Sequence, residues 1–289
     1  MKKKCRILIL GSNGQIGRTF KFFKKSEKKI GFYFLNQNKF NYLDSRKLKN
    51  FLKINSFNYV INCCAYTDVE KAENDKLRTK KINFIFVKEL IELLKKSNSF
   101  FIHFSTDYVY DGKKIGVYFE NDKTNPLNYY GKTKVMADNL IMNSGIPAVI
   151  FRVSWLFSKW NNNFIRKILK KSKIEKKLLV INDQLGSPTY SYDLVNCIIK
   201  IIKKNYFNNI KTPTIFNFRN KGITNWYIFA RNILKINKNI KCVIKPVSYK
   251  NFKTVATRPI NSSLSIFKFE KYFKISIPHW KNSLKHYFK

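Results

Sequence analysis

The chain has 289 residues, 44% of them hydrophobic, with 57 Lys and Arg against 17 Asp and Glu, a formal net charge of +40. That apolar content is enough for one sizeable core or two closely joined ones and excludes long disorder. No run approaches the roughly 18 consecutive apolar residues of a membrane-spanning helix, so no membrane partner is expected.

A net charge this large usually signals nucleic acid. Here the cations run from Lys2 to Lys289 with no basic arm, and they accompany heavy use of Asn, Ile, Phe and Tyr. That is the pattern of an AT-rich coding bias at surface positions, so no nucleic-acid partner is expected, although the field would steer an anionic substrate. The five cysteines, Cys5, Cys63, Cys64, Cys197 and Cys242, are odd in number and lack metal-ligand spacing. They read as small buried hydrophobes in a reducing, cytoplasmic setting. Met1–Lys4 followed by Ile7–Leu10 is too short in its apolar part for a signal peptide and reads as a first strand.

In chain order, strands are predicted at 5–10, 32–35, 58–62, 100–105 and 147–152, with helices at 15–25, 45–54, 79–96 and 129–143. The alternation predicts an α/β fold with a Rossmann-type doubly wound parallel sheet. The first strand runs into Gly11-Ser12-Asn13-Gly14-Gln15-Ile16-Gly17. Gly11 would permit the turn, Gly14 would let backbone approach a pyrophosphate, and Gly17 would let the helix pack on its strand. The helix start at Gln15 and Ile16 offers N–H groups to a phosphate. Asn36 stands at the end of strand two, where an acidic residue would hold the adenosine ribose. Asp44 reads as a structural N-cap. Ala65, Tyr66 and Thr67 follow strand three and, as plain sequence, are any βα loop. Asp68, Glu70 and Lys71 read as a surface charge cluster with no assigned chemistry.

Strand four, Phe100 to Ser105, ends in hydroxyls at Ser105 and Thr106, followed by Asp107. Ligands of open α/β sheets sit outside the carboxyl ends of strands, so these residues would face the crevice. His103, mid-strand between aromatics, reads as a satisfied core histidine. Tyr130 and Lys134 are one helical turn apart and share a face. An adjacent ammonium would lower the phenol from its usual value near ~10 and make Tyr130 an acid/base at neutral pH. Beyond residue 155 the alternation becomes irregular, with helices at Asn163–Lys171, Ser191–Lys204, Asn225–Leu234 and the last ten residues, and a strand at Thr214–Phe218. No linker separates the parts. Two interleaved domains are expected, a dinucleotide-binding one from 1–155 and about 188–218, and a smaller substrate-binding one from about 156–187 and 219–289.

More specific strings narrow the reading. Val60 to Glu73, Ser105-Thr106-Asp107-Tyr108-Val109-Tyr110, Phe151-Arg152-Val153-Ser154-Trp155 with Asn162-Asn163-Phe164, Val180 to Thr189, and Arg258-Pro259 with Asn261-Ser262 and Leu264 occur in that order. Together they resemble the dTDP-4-dehydrorhamnose reductase family of extended short-chain dehydrogenase/reductases from Ile7 to about Leu264. The resemblance implies NADPH- or NADH-dependent reduction of a dTDP-4-dehydro sugar by Thr106, Tyr130 and Lys134. It implies a cofactor site at Gly11, Gly14, Gln15, Ile16, Gly17, Asn36, Ala65, Tyr66 and Thr67, with Tyr130 and Lys134. It also implies substrate contacts from Thr106, Asp107, Trp155, Asn182, Gln184 and Arg258, the last as a diphosphate clamp. Asn36 with Arg18 tilts the cofactor toward NADPH. The first helix is basic and offers no carboxylate before Glu27 for the magnesium-paired dimer of some relatives, so no metal is expected, and the chain is expected as a monomer or homodimer. Alternatives are another nucleotide-sugar reductase or epimerase, or a non-catalytic subunit resembling that of methionine adenosyltransferase, which would not need an intact trio.

Overall fold

The computed structural model describes residues 4–37, 41, 44–237 and 240–289. Six parallel strands form the central sheet: β1 (Cys5–Leu10), β2 (Ile30–Leu35), β3 (Tyr59–Asn62), β4 (Phe100–Thr106), β5 (Ala148–Val153) and, later in the chain, Thr214–Phe218. With β6 (Lys177–Ile181) lying outside this sheet, Thr214–Phe218 is β7, and the sheet order is β7-β5-β4-β3-β1-β2. The reversal of winding beside β1 is the topological switch point at which such sheets bind ligands.

Strands buried on both faces read as unbroken apolar runs, and β1, whose last four residues are fully buried, is the clearest case. Its Ile7 and Ile9 join a cluster with Phe20 of α1 (Gln15–Lys24), and with Leu194 and Ile198 of α8 (Ser191–Lys203). Leu8 and Leu10 face the opposite cluster, with Leu48 of α2 (Ser45–Ile54), Leu90 of α5 (Phe86–Leu94), and Ile141 of α6 (Tyr129–Met142). A third cluster builds the smaller lobe from α7 (Phe164–Ser172), β6, α9 (Trp226–Ile236) and α11 (Trp280–Phe288). β6 pairs in parallel with β8 (Val243–Val247).

Three features depart from the sequence reading. α10 (Phe267–Phe273) lies in the stretch expected with the substrate lobe, yet Phe269 and Phe273 pack into the first cluster of the central sheet. The single helix expected at 79–96 is instead α4 (Lys76–Lys80), a π-helical turn at Lys81–Ile85, and α5. The wider turn serves Asn83. Its Oδ1 accepts from the Tyr66 N–H at 2.8 Å, and its amide donates to Thr133 Oγ1 at 3.1 Å, tying the loop after β3 to α6. π-turns of this kind recur beside functional sites. A short helix α3 (Val69–Asn74), absent from the sequence reading, is capped by Asp68, which accepts from the Lys71 N–H. The Asp44 cap of α2 is as expected, accepting from Arg46 N and Lys47 N. Among the described residues no helix is long and apolar enough to cross a membrane.

Candidate active site

The loop after β1 turns at Gly11, whose φ of +72° is a conformation that L side chains rarely adopt. A Cβ at Gly11 would lie 2.7 Å from the Cys64 backbone nitrogen, and one at Gly17 would lie 2.6 Å from Ser12 Cα. Both glycines are therefore required by the fold itself. Gly14 is different. A Cβ there meets only the Gly11 and Cys63 carbonyl oxygens, at 3.4 and 3.8 Å, and Gly14 lines an open cleft of about 430 Å³. It is the N-cap of α1, and among the described residues no side chain caps that helix. Uncapped N–H groups at a positive dipole end are what a pyrophosphate needs, so the residues fit a dinucleotide. Gly14→Val should leave the protein folded, at a helix-cap cost of about 0.5–2 kcal/mol, while affinity for NADH and NADPH collapses together. Fluorescence titration showing unchanged binding would reduce the loop to a turn.

Across the cleft stand Ala65 and Thr67 from the loop after β3, and Thr106 and Asp107 from the end of β4. Tyr130 reaches the same cleft from α6. Asn128 starts that helix by accepting from the Gly131 N–H at 2.8 Å, and Gly131 itself lies against the Tyr108 carbonyl so closely that no Cβ fits. This contact brings Tyr130 to β4, where its hydroxyl lies beside the Thr106 side chain. Burial pushes the Tyr130 phenol well above its usual range, the Thr106 side chain opposing. Burial likewise pushes Lys134 down to about 8, with Asp138 and Cys64 acting the other way. Lys134 lies beneath the cleft, its Nζ 2.9 Å from His103 Nε2. Thr106 also donates to Asp107 Oδ1 at 3.1 Å, and burial raises the Asp107 carboxyl to about 7.

A second cavity of about 1150 Å³ opens beside the first and shares Tyr108 and Trp226 with it. Gln184 and Arg258 line it together with Lys167, Lys171, Lys177, Lys250 and Lys253, against one carboxylate among the described lining residues, that of Glu175. Between the two cavities Trp155 adopts a left-handed φ of +43° and stacks on Trp226 at 3.5 Å. Gly186 lies against the same indole so closely that any side chain there would collide with it.

Most of the expected site residues therefore converge, but several do not line either cavity. Gly11, Gly17 and Lys134 support the cleft from behind. Tyr66 is held by Asn83 and faces Arg78, and Asn36, at the end of β2, is outside the cleft lining. Asn182 is exposed and lines neither cavity, while its neighbour Asp183 binds the Tyr249 N–H and Ser248. Glu70, read as surface charge, instead forms an ion pair with Arg258. Three contributions were missed. Trp226 had no local signal. Asn161 and Asn163 tie the loop after β5 to the glycine loop through Asn13 O and Gln15 Oε1, a role that the Asn run alone did not reveal. Cys63 and Cys64 line the cleft. Among the described residues no group of three His, Cys, Asp or Glu side chains is gathered to hold a metal ion.

An uncapped glycine loop at a sheet's switch point, facing a tyrosine and lysine one helical turn apart, is the arrangement of extended short-chain dehydrogenase/reductases. Within that class the chain belongs to the RmlD substrate binding domain family, whose sequence profile matches residues 5–289. It is 34% identical to the dTDP-4-dehydrorhamnose reductase of Aggregatibacter actinomycetemcomitans over 97% of both chains. Its structure resembles the dTDP-4-dehydrorhamnose reductase of Clostridium acetobutylicum with a TM-score of 0.91 at 32% identity over 98% of both chains. It resembles that of Bacillus anthracis in complex with NADP equally, with a TM-score of 0.91 at 26% identity over 99% of both chains.

Proposed function

We propose that the protein reduces the C4 ketone of dTDP-4-dehydro-L-rhamnose to the alcohol of dTDP-L-rhamnose, using NADPH or NADH. The observation that carries this reading is the position of Thr106 and Tyr130, in the glycine-lined cleft where it adjoins a cavity rich in lysine and arginine. When bound, the dihydronicotinamide supplies a hydride to C4. The chain's own residues do the rest. Thr106 orients the carbonyl oxygen, and Tyr130 gives its phenolic proton to that oxygen as negative charge develops on it. Hydride and proton together complete the CH–OH, and the phenolate recovers its proton from solvent. Lys134 in its charged form stabilises the phenolate. Trp155 and Trp226 form the apolar wall between the two cavities, which suits a 6-deoxy sugar. Basic α1 and the absence of an acid at Asn36 favour NADPH. The reading requires neither nucleic acid nor a metal.

Arg258 and the lysines of the second cavity hold the diphosphate, the guanidinium by a two-pronged contact. Losing a charge-assisted hydrogen bond costs about 1.5–3 kcal/mol, roughly ten- to a hundredfold in affinity. Arg258→Ala should therefore raise KM for the dTDP-sugar by that factor and leave cofactor affinity alone, with Arg258→Lys recovering only part. The test is optical NAD(P)H oxidation with the enzymatically generated keto sugar nucleotide. Equal KM for wild type and both variants would remove Arg258 from the substrate site, and no oxidation by wild type would refute the function.

A further inference from the structure

Behind the reacting pair runs a chain of buried hydrogen bonds. The Cys64 N–H donates to Asn62 Oδ1 at 3.0 Å, Asn62 Nδ2 is 3.2 Å from His103 Nδ1, and His103 Nε2 is 2.9 Å from Lys134 Nζ. Asn62, His103 and Lys134 are each 1% exposed or less, so no bulk water adjusts the pattern. A backbone N–H can only donate, and this one fixes which end of the Asn62 amide is the oxygen. The NH₂ end then faces His103, so Nδ1 must accept. Burial keeps the imidazole from charging, and a neutral ring that accepts at Nδ1 carries its proton on Nε2. That N–H is aimed at Lys134 Nζ. An ammonium there would set donor against donor where bulk water cannot intervene, leaving a buried donor unsatisfied. An amine with a lone pair satisfies it.

We propose that His103 is a positioning residue for Lys134, donating to it from Nε2 and holding it as the neutral amine in the cofactor-free enzyme, so that Tyr130 is activated only in the fraction of molecules whose Lys134 carries a proton. The proposal rests on the reading of Tyr130 and Lys134 as the reacting pair. The groups facing Lys134 are Asp138 on its own helix, the Cys64 thiol after β3 and His103 on β4. Asp107 and Tyr108 face Tyr130. Burial lowers the lysine to about 8, and Asp138 and Cys64 oppose it. The His103 N–H acts on the same side as burial. For a lysine lowered in the folded state the proton is lost as pH rises through the folded value, so kcat/KM, which reports the free enzyme, should fall with rising pH well below the value of about 8 that burial, Asp138 and Cys64 set without His103.

The chain holds three histidines, His103, His279 and His286, so ¹⁵N-histidine NMR of the cofactor-free protein resolves each ring, with His279→Gln and His286→Gln for assignment. At neutral pH His103 should show the Nε2–H tautomer. In Asn62→Asp the carboxylate accepts from both Cys64 N–H and the ring, so the proton should move to Nδ1, Nε2 should accept from an ammonium, and the alkaline limb of kcat/KM should rise by a unit or more. An Nδ1–H or doubly protonated His103 in wild type would overturn the proposal, and that spectrum decides even if the variant does not fold. A swapped tautomer with an unmoved limb would overturn the positioning role. Absence of reductase activity alongside the expected tautomer would refute the functional reading instead, because the spectrum needs neither cofactor nor substrate.

Discussion

Tyr130→Phe is expected to lower kcat by roughly 10²–10⁴, the range of a lost general acid, with folding and cofactor affinity intact. The substitution removes one oxygen. The ring keeps its edge contact with Tyr108 at 6.3 Å, α6 keeps its Asn128 cap, and Thr106 keeps Asp107 as a partner. Nothing else in the cleft can replace the phenol cheaply. Asp107 is the other acid within reach, its carboxyl raised to about 7 by burial, and its ionised fraction grows with pH. Residual activity carried by Asp107 would fall as pH rises through that value. The measurements are kcat by cofactor oxidation and Kd by fluorescence titration on the same preparation. A kcat near that of wild type would remove Tyr130 from the proton-transfer step.

The second large effect is on stability. Arg152 Nε lies 3.1 Å from Asp138 Oδ2, with the two side chains only 5% and 1% exposed. Arg152 further donates to Tyr110 Oη at 2.7 Å and to the Glu120 carbonyl at 3.1 Å. This network locks β5 to α6, the helix that carries Tyr130 and Lys134. Removing one partner of a buried pair leaves an uncompensated charge and costs about 3–5 kcal/mol. Asp138→Ala should lose that much by urea denaturation, whereas Asp138→Asn, which keeps an acceptor for the guanidinium, should lose less. A loss under about 1 kcal/mol for the alanine variant would show that water reaches Arg152 and that the pair is not structural.

The parts of the molecule set by local pattern were legible in the sequence. β1 and the glycine turn follow from an unbroken apolar run meeting a residue that must take φ of +72°. Strand Thr214–Phe218 and the cap at Asp44 were likewise readable over a few residues. What was not legible depends on partners far away in the chain. His103 read correctly as buried, but its bonds to Asn62 and Lys134 span 41 and 31 residues, and no local period encodes them. The ion pair of Glu70 with Arg258 joins α3 to a segment near the C-terminus, so a residue that looked like solvated charge instead holds an arginine that lines the second cavity. Trp226 starts a helix in the second lobe and becomes a site residue only because Trp155 is turned onto it. Asn182 shows the reverse error. It lies within a matched string, but at that bend Asp183 and Gln184 face inward while Asn182 points to solvent.

The most direct test of the account is a deuterium-transfer experiment with NAD(P)H labelled at the nicotinamide C4 and the keto form of the dTDP-sugar. One cofactor should be oxidised per sugar reduced, with deuterium at C4 of dTDP-L-rhamnose, and this transfer should be lost in Tyr130→Phe. Cofactor consumption without sugar reduction, deuterium at another carbon, or transfer undiminished in Tyr130→Phe would contradict it.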